Sequence, residues 1–313
     1  MIQRAFDAHR ASFNLSIRSS LAASRYYLHN NIPDIVLCDW LLPDGKGIEL
    51  LPSNRENSLF PLVLITSHGN EELAVGAMKA GALDYIVKSP ETFANMPDFV
   101  VRALREWEHI IARRKAEIKL QQVLLQTVES LSLMVEKRDP YTSGHQKKVC
   151  QLACAIADEM NLNEKDKTGI YIASILHDIG KISIPAEYLS KPGTLDPVEF
   201  TIIKAHPQIA YEMLKSIDFD SPIARIIQQH HEKCDGSGYP GGLKGSDILL
   251  EARIITVADV VEAISSHRPY RPALGIEAAL EEISSNAGIL YDRNVVAVCL
   301  ELFHNKGFCF ALQ

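Results

Sequence analysis

The sequence predicts an α/β N-terminal domain on a parallel sheet, a long connecting helix and an all-α C-terminal domain. Short apolar runs alternate with helical patterns over residues 33–88, which indicates βαβ units. Residues 96–137 hold no glycine and repeat apolar side chains at helical spacing. The remaining chain keeps the helical period almost throughout. We therefore expect domains at 1–95 and 138–313, joined by a helix over 96–137.

Length and composition fit a soluble globular protein of two domains. The chain has 313 residues, of which 47% are hydrophobic and 23% charged, with a formal net charge of −7. That negative charge argues against a DNA-binding coat. The apolar runs are too short to cross a bilayer, so we expect a cytoplasmic protein without a membrane partner. The six cysteines are scattered and are predicted to be reduced thiols.

Three polar residues follow the three apolar runs of the N-terminal domain. Asp39 closes the run at 35–38, Thr66 the run at 62–65 and Lys88 the run at 85–87. In open α/β sheets, ligand sites gather at the carboxyl ends of strands. This pattern resembles a response-regulator receiver domain. The resemblance implies Asp39 as phosphoacceptor, Thr66 as the switch residue, Lys88 as partner of the acyl phosphate, and a histidine kinase or diguanylate cyclase as partner.

The first strand of a receiver, with its pair of acidic Mg²⁺ ligands, has no counterpart in this sequence. By the same resemblance, Leu15-Ser16-Ile17 would be the strand on the other side of the missing one. We therefore expect an incomplete sheet, from truncation or remodelling, and poor coordination of a hard cation at Asp39. This favours a dimerisation or docking module over control by phosphorylation.

The predicted connecting helix carries an apolar stripe that includes Leu104, Ile111, Ile118 and Leu131. Such stripes commonly pair with a second copy of the chain, which predicts a homodimer through this helix. Packing of the stripe against its own domain is the alternative.

The C-terminal half contains histidines and aspartates with the character of metal ligands. His145 shares a helical face with Val149, Leu152 and Ile156, so it should point into the core. A single core histidine is usually structural, but a set spread over several helices indicates a metal site. Nitrogen and oxygen donors together suit Fe, Mn, Ni or Zn better than Ca or Mg. The set comprises His145, His177, Asp178, His206, His230, His231 and Asp259.

Two motifs in this half resemble the HD-GYP branch of the HD superfamily. His177-Asp178 followed by Ile-Gly-Lys matches the HD signature, and residues 230–240, HHEKCDGSGYP, match the motif that names the branch. The resemblance implies two divalent transition metal ions, with iron favoured, and Asp178 bridging them. One ion would take His145, His177 and Asp259, and the other His206, His230 and His231. Tyr141 stands where some members have a glutamate for a third ion, so we expect two.

The same resemblance implies hydrolysis of cyclic di-GMP to linear pGpG, and more slowly to GMP. Two cations roughly 3.5–4 Å apart would supply a hydroxide near neutral pH. Lys181 would contact the phosphate oxygens, with Asp178 beside it in the catalytic centre. Further substrate contacts would come from Gly238, Tyr239, Pro240, Arg268 and Arg271.

Some features leave alternatives open. Glycines of the segment 235–245 could serve only to permit tight turns. Glu262 stands where the branch usually has aspartate, and His267 where a small acidic or polar residue is frequent. The rival functions are hydrolysis of another nucleotide, because the HD scaffold supports many substrates, and a cyclic di-GMP sensor or docking protein without turnover.

Overall fold

The computed structural model of the protein describes residues 2–6, 12–52, 58–67, 71–138, 144–191, 193–266 and 273–311. The chain divides into two compact units, Met1–Leu120 and Gln121–Gln313. Helix α5, Met96–Glu136, begins in the first unit and ends in the second, which confirms the predicted connecting helix. Among the described residues, no helix has the length and apolar character needed to span a membrane.

Three parallel strands form the sheet of the first unit, in the order β1-β4-β5. The middle strand β4 is buried at every position, as expected for an apolar strand paired on both edges. The α/β class predicted for this unit is confirmed. The strands are β1 Val36–Asp39, β2 Leu41–Leu42, β3 Gly45–Lys46, β4 Leu62–Thr66 and β5 Asp84–Val87, where β2 and β3 form a separate antiparallel pair. The helices are α1 Ile2–Phe6, α2 Leu21–Asn30, α3 Glu71–Ala80 and α4 Pro90–Ala94.

The prediction of a strand at Leu15-Ser16-Ile17 is wrong. This segment makes no ladder, and Leu15 and Ile17 are 41% and 59% exposed. Strand formation depends on a neighbour that supplies hydrogen bonds and a buried face. In the described residues β1 is an edge strand of the sheet, and the segment 15–17 does not pair with it.

Helices build the second unit, and their apolar faces meet in one core. Three of them, α6, α7 and α12, bury residues along their length, with Ile156, Ile170 and Ile255 fully enclosed. The predicted all-α class is confirmed. The helices are α6 His145–Glu159, α7 Glu164–Leu176, α8 Ala186–Leu189, α9 Pro197–Ile203, α10 His206–Leu214, α11 Ile223–Gln229, α12 Leu250–Ser265, α13 Ile276–Ser285 and α14 Arg293–His304.

Helix α7 ends directly before the His177-Asp178 pair. Its last residue is Leu176, and a separate 3-10 turn, Ile179–Ser183, follows His177 and Asp178. Gly180 explains why this turn can lie against α10, because a Cβ at this position would meet the carbonyl oxygen of His206 at 2.0 Å. The close approach brings the His177-Asp178 pair beside His206.

Candidate metal centre

The seven predicted donor residues meet in one region of the second unit, mostly at helix ends. His145 and His206 are the first residues of α6 and α10. His177 is the residue after α7, and His230 the residue after α11. Helix ends allow side chains from several directions to converge on one point. The other three are Asp178 and His231, each next in sequence to one of these histidines, and Asp259, within α12.

Their donor atoms form two triads. In the first, the donor atoms of His145, His177 and Asp259 lie within 4.8 Å of one another. The second triad, in the same distance range, consists of His206, His230 and His231. A further group joins Asp178 to one histidine of each triad, His177 and His230. These groups have the composition that the sequence predicted for two ions bridged by Asp178.

Hydrogen bonds to main-chain carbonyls fix the orientation of three imidazoles. The Nδ1 atoms of His177, His206 and His230 donate to the carbonyl oxygens of Ser174, Ile203 and Ile227 at 2.7, 2.8 and 2.5 Å. A carbonyl only accepts, so Nδ1 carries the proton and Nε2 keeps a lone pair. Each ring therefore presents a metal-binding nitrogen to the centre, in the arrangement typical of metal-ligating histidines.

The Nε2 atoms on the inner side lack ordinary hydrogen-bond partners. His177 Nε2 is buried and, among the residues that the structure describes, has no hydrogen-bond partner. The Nε2 atoms of His206 and His230 face one another at 3.4 Å. Since each keeps a lone pair, neither can donate to the other. Divalent cations would satisfy all three nitrogens, so the residues present fit a metal centre.

Burial keeps these histidines neutral. It lowers the pKa of His206 to about 4 and that of His230 to about 3. Burial likewise lowers the pKa of His177, and that of His231 falls well below its ordinary value. Neutral imidazole is the form that binds a metal, so no proton has to leave these rings at neutral pH.

The two aspartates are ionised despite their burial. Burial raises the pKa of Asp178, but the positive charge of Lys181 opposes it, and the pKa lies well below its usual range. Lys181 Nζ donates to Asp178 Oδ2 at 2.7 Å. Burial also raises the pKa of Asp259, and the neighbouring His145 helps to lower it well below the ordinary value. Both carboxylates are therefore available as anionic donors.

Glu262 supports His145 from the side away from the centre. Its Oε2 lies 2.5 Å from His145 Nδ1, while His145 Nε2 lies 3.2 Å from Asp259 Oδ1. The other carboxylate oxygen of Glu262 accepts from Ser266 Oγ at 2.6 Å. In the sequence, Glu262 stands out only as a departure from the family pattern. Its position three residues after Asp259, on the same helical face, is the signal that points to this role.

A second buried carboxylate, Glu232, organises the glycine-rich segment. Its oxygens accept from the main-chain N–H groups of Gly241 at 2.6 Å and Leu243 at 2.9 Å. Gly238 is required by space, because a Cβ there would meet Lys233 N at 2.4 Å. The centre of the Tyr239 ring lies 4.8 Å from the centre of the His231 ring. The segment therefore packs onto the centre rather than merely turning the chain.

Other predicted positions fall outside the described residues or outside this unit. Tyr141, His267, Arg268 and Arg271 lie in the ranges 139–143 and 267–272, which the structure does not describe. The receiver-like positions belong to the first unit. There, Lys88 Nζ contacts Asp39 Oδ2 at 2.5 Å, and Thr66 is buried at the end of the neighbouring strand. These three residues lie at the carboxyl ends of the three parallel strands, as predicted.

Comparison with known proteins agrees with both units. Residues 129–295, more than half of the chain, match the HD domain, and residues 2–96 match the response regulator receiver domain. The chain is 35% identical over 288 residues to the cyclic di-GMP phosphodiesterase response regulator RpfG of Xanthomonas campestris, covering 85% of this chain and 75% of that protein. This chain belongs to the HD-GYP family. The predicted family, with its receiver-like N-terminal part, is confirmed.

This HD-GYP protein is similar to one further curated relative and to a solved structure. It is 34% identical over 291 residues to a cyclic di-GMP phosphodiesterase of Thermotoga maritima, which covers 86% of this chain and 78% of that protein. The solved structure of a cyclic GMP-AMP specific phosphodiesterase of Vibrio cholerae is similar over 58% of this chain and 49% of that chain, at 20% identity and a TM-score of 0.45.

Proposed function

We propose that this HD-GYP protein is a metal-dependent phosphodiesterase that hydrolyses cyclic di-GMP to linear pGpG, and pGpG more slowly to GMP. The observation that carries the proposal is the convergence of seven nitrogen and oxygen donors on one centre, with the buried Nε2 of His177 left without a partner among the described residues. Two relatives that match 85% and 86% of this chain are named cyclic di-GMP phosphodiesterases.

The donor set supports two divalent transition metal ions, and we propose iron, with Mn, Ni or Zn as the alternatives. His145, His177 and Asp259 would hold one ion and His206, His230 and His231 the other, with Asp178 shared. When bound, such ions acidify water and neutralise charge on phosphate oxygens. The main-chain carbonyls behind the imidazoles keep the nitrogen donors in place without further rearrangement.

Lys181 is the proposed cationic residue of the reaction. Its side chain is 16% exposed and its ammonium stays beside Asp178, so the charge is fixed at the open edge of the centre. A fixed ammonium stabilises negative charge that develops on a phosphate without reorganising water. Gly238, Tyr239 and Pro240 are proposed to border the substrate, together with Arg268 and Arg271.

Tyr239 remains a neutral phenol in this setting. Burial, followed by the charges of Asp259 and Asp178, raises its pKa above the ordinary value. The phenol can therefore donate a hydrogen bond to an anionic substrate at neutral pH.

The activity test compares substrates with the protein loaded anaerobically with Fe²⁺ or Mn²⁺. Products of cyclic di-GMP, 3′3′-cGAMP and cyclic di-AMP are separated by chromatography, with Asp178→Ala as the control. We expect pGpG from cyclic di-GMP with the unaltered protein and no product with Asp178→Ala. Preference for 3′3′-cGAMP would indicate the substrate that is named for 3′3′-cGAMP-specific phosphodiesterase 3 of Vibrio cholerae. That protein is 38% identical to this chain over 159 residues. Binding of cyclic di-GMP without turnover would make it a sensor.

A second copy of the chain is the partner that we propose for helix α5. Apolar side chains at a spacing of four, seven and three residues line an exposed face: Leu120, Leu124, Leu131 and Met134 are 71%, 48%, 41% and 59% exposed. This spacing is that of a coiled-coil seam. Light scattering of Leu124→Glu and Leu131→Glu tests the homodimer, which should dissociate.

For the first unit we propose docking of a signalling partner, a histidine kinase or diguanylate cyclase, in the cytoplasm. Asp39 is its candidate phosphoacceptor, supported by the contact with Lys88. Incubation with acetyl phosphate and Mg²⁺, with Asp39→Asn as control, tests this position. A docking module is expected to incorporate little phosphate. Stoichiometric incorporation of phosphate that depends on Asp39 would instead establish control by phosphorylation.

A further inference from the structure

One lysine near the metal centre contacts aromatic rings where a carboxylate would be the usual partner. Lys204 is the residue after α9, two positions before His206. Its Nζ lies 4.6 Å from the centre of the Phe200 ring and 5.2 Å from that of Tyr239. Within the described ranges, no carboxylate lies within ion-pair distance of this ammonium. It is thus a half-buried cation whose charge is not neutralised locally.

The position of Lys204 is on the side of the centre that a substrate can reach. The side chain of His231 is 24% exposed, whereas those of His145, His177 and His206 are at most 4% exposed. Tyr239 packs on this more accessible histidine, and Lys204 packs on Tyr239. A contact chain therefore runs from the open side of the centre to the ammonium of Lys204.

We propose that Lys204 binds the second phosphate of the substrate, the one that is not being hydrolysed, and that Phe200 and Tyr239 hold its ammonium ready for that contact. This inference rests on the proposed function, because a cyclic dinucleotide carries two phosphodiesters and only one can occupy the metal centre. Aromatic faces attract a cation without cancelling its charge, so the ammonium stays available to an anion. Lys181, paired with Asp178, serves the reacting phosphate instead.

The experiment compares a substrate of two phosphates with one of a single phosphate. Lys204→Met keeps most of the aliphatic stem and removes the charge. With cyclic di-GMP, we expect KM to rise roughly 10- to 100-fold, the loss of one charge-assisted contact, with kcat little changed. With bis(p-nitrophenyl) phosphate, which has one phosphate, kcat/KM should be unchanged. Lys204→Arg should restore most of the affinity for cyclic di-GMP.

Salt separates a phosphate contact from a contact with the base. KM of the unaltered protein should rise with KCl more steeply than KM of Lys204→Met, because the variant has lost an ion pair. Lys165→Met, on the exposed surface of α7, is the matched control and should leave all constants unchanged.

Three results would overturn the inference while the unaltered protein still cleaves cyclic di-GMP. They are equal losses on both substrates in Lys204→Met, no loss on either, and an unchanged salt dependence. An unaltered protein that cleaves bis(p-nitrophenyl) phosphate but not cyclic di-GMP would overturn the proposed function itself, and the inference with it.

Discussion

Glu262 Oε2 lies 2.5 Å from His145 Nδ1, and both side chains are buried. The carboxylate accepts the Nδ1 proton, which leaves His145 Nε2 directed to the aspartate of the same triad, Asp259, at 3.2 Å. A carboxylate behind a histidine fixes the ring and makes its free nitrogen more basic. Glu262 stands where the branch usually has aspartate. Its longer side chain reaches His145 and should strengthen metal binding by the first triad.

Glu262→Ala is expected to weaken the metal site that contains His145. Loss of such a supporting partner typically costs about 10- to 100-fold in metal affinity. The second triad should retain its ion, so metal content after dialysis should fall from two ions per chain toward one. Glu262→Gln, whose amide oxygen can still accept the Nδ1 proton, should give an intermediate value. Mass-spectrometric metal analysis measures this, with Glu251→Ala on the same helix as control. Two ions retained by Glu262→Ala would contradict the assignment.

Glu232→Gln is expected to loosen the glycine-rich segment without emptying the metal centre. The carboxylate accepts from both Gly241 N and Leu243 N, and an amide can replace only one of these acceptor oxygens. Hydrogen exchange should accelerate at these two amides, and KM for cyclic di-GMP should rise. Metal content should stay constant. Unchanged exchange at both amides would show that other contacts hold the segment.

Gly180→Ala is expected to destabilise the second unit. The new Cβ would meet His206 O at 2.0 Å and Ala210 N at 2.9 Å, both main-chain atoms that cannot swing aside. Overpacking of this kind lowers the free energy of unfolding by about 1–3 kcal/mol or more. Each kcal/mol lowers Tm by roughly 2–4 °C for a unit of this size. Calorimetry measures the shift. Gly76→Ala, where a Cβ would meet nothing within 4 Å, is the control and should not lower Tm. An unchanged Tm in Gly180→Ala would show that the turn and α10 can separate freely.

Removal of metal is expected to lower the Tm of the second unit. Without ions, the buried Nε2 of His177 has no hydrogen-bond partner in the described structure, and the imidazoles of His206 and His230 face one another. An ion whose free concentration is 100 times its Kd adds about 2.7 kcal/mol to the free energy of unfolding. Calorimetry before and after chelation, followed by addition of Mn²⁺, measures the effect. An identical Tm in all three samples would contradict a centre built around bound ions.

The sequence predicted those parts of the fold whose signals are local. The apolar runs at 35–38, 62–65 and 85–87 correspond to β1, β4 and β5, and helix α5 ends at Glu136, one residue before the expected 137. Buried strands and long periodic helices have patterns that need no knowledge of their neighbours. The seven donor residues were recognised as histidines and aspartates spread over several helices, and resemblance to a known family assigned them to two ions.

Features that depend on contacts between distant residues were missed. Leu15 and Ile17 alternate like a strand but pair with no strand among the described residues, and the short pair β2 and β3 has too few residues for a pattern. The break after Leu176 depends on the approach of Gly180 to α10, which lies beyond local sequence. Glu232 and Lys204 gain their roles only when the glycine-rich segment folds back on them.

The most direct test of the account is formation of pGpG as a function of metal added to metal-free protein. We expect anaerobic Fe²⁺ or Mn²⁺ to raise the rate of cyclic di-GMP cleavage until two ions are bound per chain. We also expect Asp178→Asn, which removes the shared anionic donor, to form no product at any metal concentration. Protein that binds two ions and cyclic di-GMP but releases no pGpG would contradict the enzymatic function.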